Sequence, residues 1–162
     1  MANPYFTRHD LPIRPFGHHH SEHAPGGQGP VLAAVAVGGA LGATTRYGIE
    51  SAWPVHGTQF PWPILLVNAT GCLVMGALMT FLATRSALVK RLAGALIGTG
   101  FLGGYTTFSH YTDNVRELVR DGAPGTAVGY LLLTVVAALL GVWAGVAAVH
   151  AVLPASRPGA AA

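Results

Sequence analysis

Polar and apolar positions are segregated along this chain. Charged residues are absent from 51–84, from 92–112 and from 122–156, and each gap is filled largely with Leu, Val, Ala, Ile and Gly. A helix needs about 20 mostly apolar residues to cross a bilayer, so each gap accommodates one span. A fourth apolar run, at 31–53, is interrupted only by Arg46 and Glu50. The pattern predicts an all-α integral membrane protein with four transmembrane helices, at 31–53, at 62–83, from near Leu92 onward and at 126–152. Prolines at 61 and 63 sit where the second helix would begin, a position that tolerates them.

The third run does not read as a plain span. From Gly100 it continues Gly-Phe-Leu-Gly-Gly-Tyr-Thr-Thr-Phe-Ser-His-Tyr. Glycine weakens a helix, and threonine hydroxyls bond backbone groups that an opening leaves unpaired. Gly103-Gly104 followed by Thr106-Thr107 therefore predicts that this helix is broken, and a short amphipathic helix is expected to resume from about Thr107 to Arg120. At membrane depth a break persists only where it is buried in protein or lines a polar cavity. Freed carbonyls then suit a cation, and half-helix N-termini suit an anion. The same small residues also allow close helix packing, so an ion site and a packing site both remain open from residue types alone. Gly38, Gly39 and Gly42 make a comparable small-residue face on the first span.

Composition narrows the class. The chain is 51% hydrophobic and 9% charged, against about a quarter charged in soluble domains. The single cysteine, Cys72, excludes an intrachain disulfide and reads as a small apolar packing residue. Nine Lys and Arg outnumber six Asp and Glu, but no basic cluster or aromatic platform supports nucleic-acid binding. Residues 1–30 form a His-, Pro- and Gly-rich tail expected to be disordered. It lacks the apolar core of a signal peptide, and its tract His18-His19-His20-Ser21-Glu22-His23 is a candidate for divalent metal. Residues 31–153 form the membrane domain and 154–162 a C-terminal tail.

The polar groups expected at membrane depth are Asn68, Thr106, Thr107, Ser109, Tyr111, Tyr130 and Thr134, with Arg46 toward the end of its span. Tyr130 and Thr134 are four residues apart and share a helical face. Arg46 is read either as a snorkelling anchor or as part of an ion path, and Asn68 either as a bond between helices or as a neutral donor. Spans two to four carry no carboxylate, and proton-coupled transport usually needs one or a histidine relay. Neutral donors suit a desolvated anion, and the electropositive edges of Phe108 and Tyr111 add to them. No nucleophile–base pair or metal-ligand spacing appears within the spans, so an enzyme is not expected.

Three ordered motifs carry a resemblance: Gly-Gly-Ala-Leu-Gly-Ala-Thr-Thr-Arg-Tyr at 38–47, Leu-Val-Asn-Ala-Thr-Gly at 66–71 and Gly-Phe-Leu-Gly-Gly-Tyr-Thr-Thr-Phe-Ser at 100–109. Together they resemble the signatures of the Fluc (CrcB) family of fluoride channels, over about 31–152. The resemblance implies an antiparallel dimer of small four-helix subunits with two fluoride pores, passive export of cytoplasmic fluoride, and a structural sodium ion where the two broken third helices cross. It implies that the backbone carbonyls of Gly103 and Thr106 ligate the sodium. It places Asn68, Phe108 and Tyr130 in the pore and matches Arg46 to the arginine ending the first motif. The chain departs from the family in three places. Tyr111 stands for a second pore phenylalanine, Pro63-Ile64 for a Gly-Thr, and Asn114 for a carboxylate.

The basic residues Arg8, Arg14, Arg85, Lys90, Arg91 and Arg157 fall on one side of the expected topology. The positive-inside rule therefore favours cytoplasmic termini in the cell membrane. One chain inserting both ways would show little such bias, so a heterodimer with an oppositely biased paralogue is favoured over a homodimer. Two other functions fit a protein of this size: a dual-topology small-molecule exporter, which would depend on Glu50, and a non-conducting membrane scaffold.

Overall fold

The computed structural model describes residues 27–153, and every regular element among them is helical. The His-rich tract at 18–23 and the C-terminal tail lie outside the described residues. Helix α1 runs Gly29–Ala52, α2 Trp62–Ala83 and α3 Ala87–Ala93. A π-helical segment, Gly94–Leu102, follows α3 without interruption and passes into one further α-turn, α4, at Gly103–Tyr105. After a three-residue gap come α5, Ser109–Arg120, and α6, Pro124–Val152. Helices α2 and α6 are long and apolar enough to cross a membrane.

The helices associate as two close pairs. Along one, α2 packs against α6; along the other, α1 packs against the π-helical segment and α4. Glycine sets both contacts. A Cβ on Gly76, Gly141 or Gly145 would run into the backbone carbonyl of Val142, Ala69 or Leu73, respectively. On the other seam, a Cβ on Gly38 would overlap the Leu96 carbonyl, one on Gly42 the Phe101 carbonyl and one on Gly104 the Gly39 carbonyl. Such backbone-to-backbone approach is how membrane helices gain dispersion contact where lipid supplies no hydrophobic driving force.

Helix ends follow their residues. Pro30, Pro63 and Pro124 lie in the first turns of α1, α2 and α6. Helix α5 stops at Gly122, whose φ of 83° few other residues adopt. There Gly122 N–H bonds the Val119 carbonyl and Ala123 N–H the Leu118 carbonyl, the paired bonds of a Schellman cap. A small core of Ile64, Leu65, Tyr111, Leu118, Ala127 and Tyr130 ties α5 to α2 and α6. Outside it, large apolar side chains such as Leu132, Leu139, Leu140 and Trp143 on α6 are exposed in the single chain.

Two expectations are corrected here. The first helix begins at Gly29, inside the segment read as tail. Gly103-Gly104 is not where the third helix opens: the helix passes through both glycines, and the chain leaves helical geometry only at Thr106, with φ −75° and ψ 158°. Gly104 serves close approach to α1. The helix upstream of the opening is wound as a π-helix, a form that occurs mostly as single turns and is frequent at functional sites.

Candidate functional site: a helix break between two cavities

The gap at 106–108 is held open by one side chain. Asn68, from the middle of α2, donates from Nδ2 to the Thr107 carbonyl at 3.0 Å and accepts the Thr107 N–H on Oδ1 at 2.9 Å. This reciprocal pair replaces the two ladder bonds Thr107 would make in a continuous helix. The next donor is diverted as well, because His110 N–H goes to Thr107 Oγ1 at 3.2 Å. The carbonyls of Gly103 and Thr106 thereby lose the N–H groups four residues on that would have capped them. Among the described residues nothing replaces those donors. A Cβ on Gly103 would meet nothing within 4 Å, so that side of the turn is open. Two uncapped carbonyls on an open turn are hard oxygen donors of the kind a small cation takes.

Beside the break lies a cavity of about 280 Å³. Its walls are Asn68 and Cys72 from α2, Thr106, Thr107 and Phe108 from the gap, Tyr111 from α5, and Thr134, Val135 and Ala138 from α6. None of these carries a charge at neutral pH. Asn68 spends one amide proton on Thr107 and keeps the other. Thr134 is buried, and its Oγ1 makes no hydrogen bond of good geometry, with the Tyr130 hydroxyl as its polar neighbour. A buried orphan hydroxyl costs about 1–3 kcal/mol, so a ligand that accepts its proton recovers that loss. The Phe108 and Tyr111 rings lie 5.7 Å apart at 50°. Phe108 is 76% exposed in the single chain, whereas Tyr111 is buried and donates its hydroxyl to the Leu131 carbonyl at 2.8 Å. That hydroxyl is therefore committed to α6, and Tyr111 offers the cavity a ring.

The structure thus gathers Asn68, Thr106, Thr107, Phe108, Tyr111 and Thr134. It leaves three expected residues off this wall. Ser109 faces Thr107, with the hydroxyls 3.2 Å apart. Tyr130 is fully buried behind Tyr111, at a ring separation of 5.3 Å. Its edge packs on Phe60, and its hydroxyl lies 3.4 Å from Asn114 Nδ2. Arg46 lies on the far seam, where Nε donates to the Gly104 carbonyl at 3.3 Å. Cys72, read as a packing residue, also forms part of the cavity wall.

A second cavity, of about 150 Å³, opens where α1 meets α5 and is lined by Glu50, His110, Asn114, Trp53, Pro63 and Ile64 among others. Arg46 Nη1 and His110 Nδ1 converge on the same oxygen, Glu50 Oε1, at 3.3 and 3.0 Å, and lie 3.1 Å from each other. Arg46 and Glu50 stand four apart on α1, a spacing that pairs side chains on a helix. Their third partner was not legible, because His110 reaches them only through the fold.

These features define a helical membrane protein whose interrupted helix lines a cavity of neutral donors and aromatic rings. Residues 33–146 match the family described as CrcB-like protein, Camphor Resistance (CrcB). Similar chains include a "Fluoride-specific ion channel FluC 2" of Nocardia farcinica, 43% identical over 78% of this chain and 90% of its own length. A "Fluoride-specific ion channel FluC 1" of Streptomyces coelicolor is 45% identical over 72% of this chain and 75% of its own. A "Fluoride-specific ion channel FluC 2" of Thermobifida fusca is 40% identical over 76% and 91%. The chain belongs to the CrcB family.

Proposed function

We propose that this chain is a subunit of a fluoride-selective channel through which cytoplasmic fluoride leaves passively, and not an enzyme. The observation that carries this reading is the cavity beside Asn68. It joins a spare amide proton, an orphan buried hydroxyl on Thr134 and two aromatic rings, with no carboxylate on its wall. A small, strongly hydrated anion gives up water only where donors replace it, and a site of neutral donors supplies them without trapping the ion by opposite charge. Ring edges bear partial positive charge and extend that environment along the path. Phe108, Tyr111, Asn68, Thr107 and Thr134 are the residues the reading places along the anion's route, with Ser109 and Tyr130 supporting Thr107 and Tyr111.

The rest of the assembly follows from the same reading. Four membrane crossings require α1 and the broken helix to span beside α2 and α6. The apolar faces left exposed on α6 suit lipid or a second subunit. The carbonyls of Gly103 and Thr106 are the groups that would hold a structural sodium ion, and the ion's charge would lock the interrupted backbone in place. An antiparallel dimer built on that turn brings two such subunits together. The bias of Lys and Arg toward the termini and the loop after α2 favours cytoplasmic termini and a paralogue as partner.

The test is fluoride efflux from proteoliposomes holding the purified protein, with chloride as the comparison ion. Rapid fluoride loss with chloride retained is the expected result, and folded protein that releases neither ion, both alone and when co-expressed with a paralogue, would sink the channel reading. The pairing is tested apart from conduction, with topology reporters fused to the C-terminus. A single cytoplasmic location is expected, and an even split between orientations would favour the homodimer.

A further inference from the structure

The cluster between α1 and α5 is not used by the cavity beside Asn68. We propose that Glu50, His110 and Asn114 line a second, proton-dependent site for a small inorganic anion, fluoride above all, at the mouth of the pathway. The proposal rests on the channel reading for the identity of the anion and on the following geometry for the site.

His110 Nδ1 faces a donor and an acceptor at once, Arg46 Nη1 at 3.1 Å and Glu50 Oε1 at 3.0 Å. A neutral imidazole satisfies only one of them. If Nδ1 is bare it accepts from Arg46; if it carries the proton it donates to Glu50. A second proton commits Nδ1–H to Glu50 and puts a hydrogen on Nε2 as well, and the Arg46 N–H then keeps Glu50 as its acceptor in place of the ring. The arginine, carboxylate and imidazole then change from net zero charge to net +1.

The surroundings permit this exchange, because the Glu50 carboxylate offsets the Arg46 guanidinium beside the ring. The His110 side chain is 45% exposed, so protons reach it, whereas Glu50 and Arg46 are 25% and 19% exposed. Arg46 and Glu50 are the only charged groups that face His110 among the described residues, both from α1. Pro63 and Ile64 from α2 and Trp53 and Val55 from the loop between α1 and α2 add none. Asn114 on α5 is neutral and bonds Tyr130 of α6 behind it. The cavity, about 150 Å³, holds a partly hydrated ion, since a water occupies about 30 Å³ in the liquid. Its polar wall offers an imidazole N–H and the Asn114 amide.

Protonation of the ring therefore changes the charge the anion meets. One added positive charge at a few ångströms in a partly aqueous site raises local anion occupancy roughly two- to fivefold. Asn114 and Tyr111 both touch Tyr130, and Tyr111 lines the cavity beside Asn68. The two sites are therefore separated by a single layer of side chains.

The decisive experiment follows the His110 ring by magnetic resonance of the intact protein in lipid nanodiscs, with isotope-labelled histidine and the His110→Gln variant to assign the signal. The probe is sodium fluoride, compared with sodium gluconate at equal ionic strength. Because the anion favours the protonated ring, linkage requires fluoride to raise the titration midpoint, by about half a pH unit for a roughly threefold preference. A midpoint unmoved by fluoride overturns the site, even if the reconstituted protein conducts. A midpoint that rises while proteoliposomes release no fluoride supports the site and counts against the channel reading.

Discussion

The two cavities flanking the break are built from opposite materials. The one beside Asn68 holds no group that is charged at neutral pH and relies on an amide proton, a hydroxyl and ring edges. The one beside Glu50 concentrates a guanidinium, a carboxylate and an imidazole around one oxygen atom. Neutral donors in a low-dielectric setting discriminate by size and desolvation without holding an ion too tightly. Full charges act over longer distances and respond to pH, but would trap a desolvated anion or repel it. On the proposed reading, selection falls to one wall of α5 and capture to the other, with Tyr130 in contact with both.

The most damaging change to this arrangement lies in neither cavity. Gly42→Val places a branched side chain against the Phe101 carbonyl and the Tyr105 N–H, forcing α1 away from the broken helix and opening both sites. A cost of about 3 kcal/mol or more is expected, read as loss of the monodisperse peak when detergent extracts are sized. Next in effect is Asn68→Ala, which strips both bonds from Thr107 and leaves two backbone groups unpaired. Each such group costs about 1–3 kcal/mol. Fluoride efflux should fall by about tenfold or more, while the His110 titration across the break keeps its response to fluoride. Loss of both together would mean the two cavities are one cooperative unit. The mildest change is Tyr111→Phe, which keeps the ring and removes its bond to Leu131. A net loss of about 0.5–1.5 kcal/mol in stability is expected, with a lower midpoint in thermal unfolding and fluoride still preferred over chloride. Loss of that preference would show that the hydroxyl acts on the anion directly.

Much of this was legible in the sequence because lipid imposes simple rules. Charge-free runs marked α2 and α6 nearly to the residue, and the small-residue face of Gly38 and Gly42 is the one that meets the broken helix. Asn68 stood out as the only amide in its span. What sequence alone misplaced was the opening itself. Glycine is ambiguous between weakening a helix and allowing close approach, and at Gly104 the second role prevailed because the Gly39 carbonyl lies against it. The π-winding over 94–102, on the segment that packs against α1, was not foreseen from its residues. His110 was overlooked for a related reason: its neighbours in the chain are aromatic and hydroxyl residues, and its charged partners lie some 60 positions away.

The tether on Tyr111 has a consequence for motion. Its hydroxyl lies on the axis about which a tyrosine ring turns, so the bond to Leu131 lets the ring spin but stops it swinging away from the cavity. Phe108 has no such anchor and is largely exposed in the single chain, where rotamer exchange takes picoseconds to nanoseconds. On the proposed reading, an anion moving past this pair would meet one ring of fixed position and one free to change rotamer. On that reading the fixed ring would set the width of the passage and the mobile one would adjust to the ion.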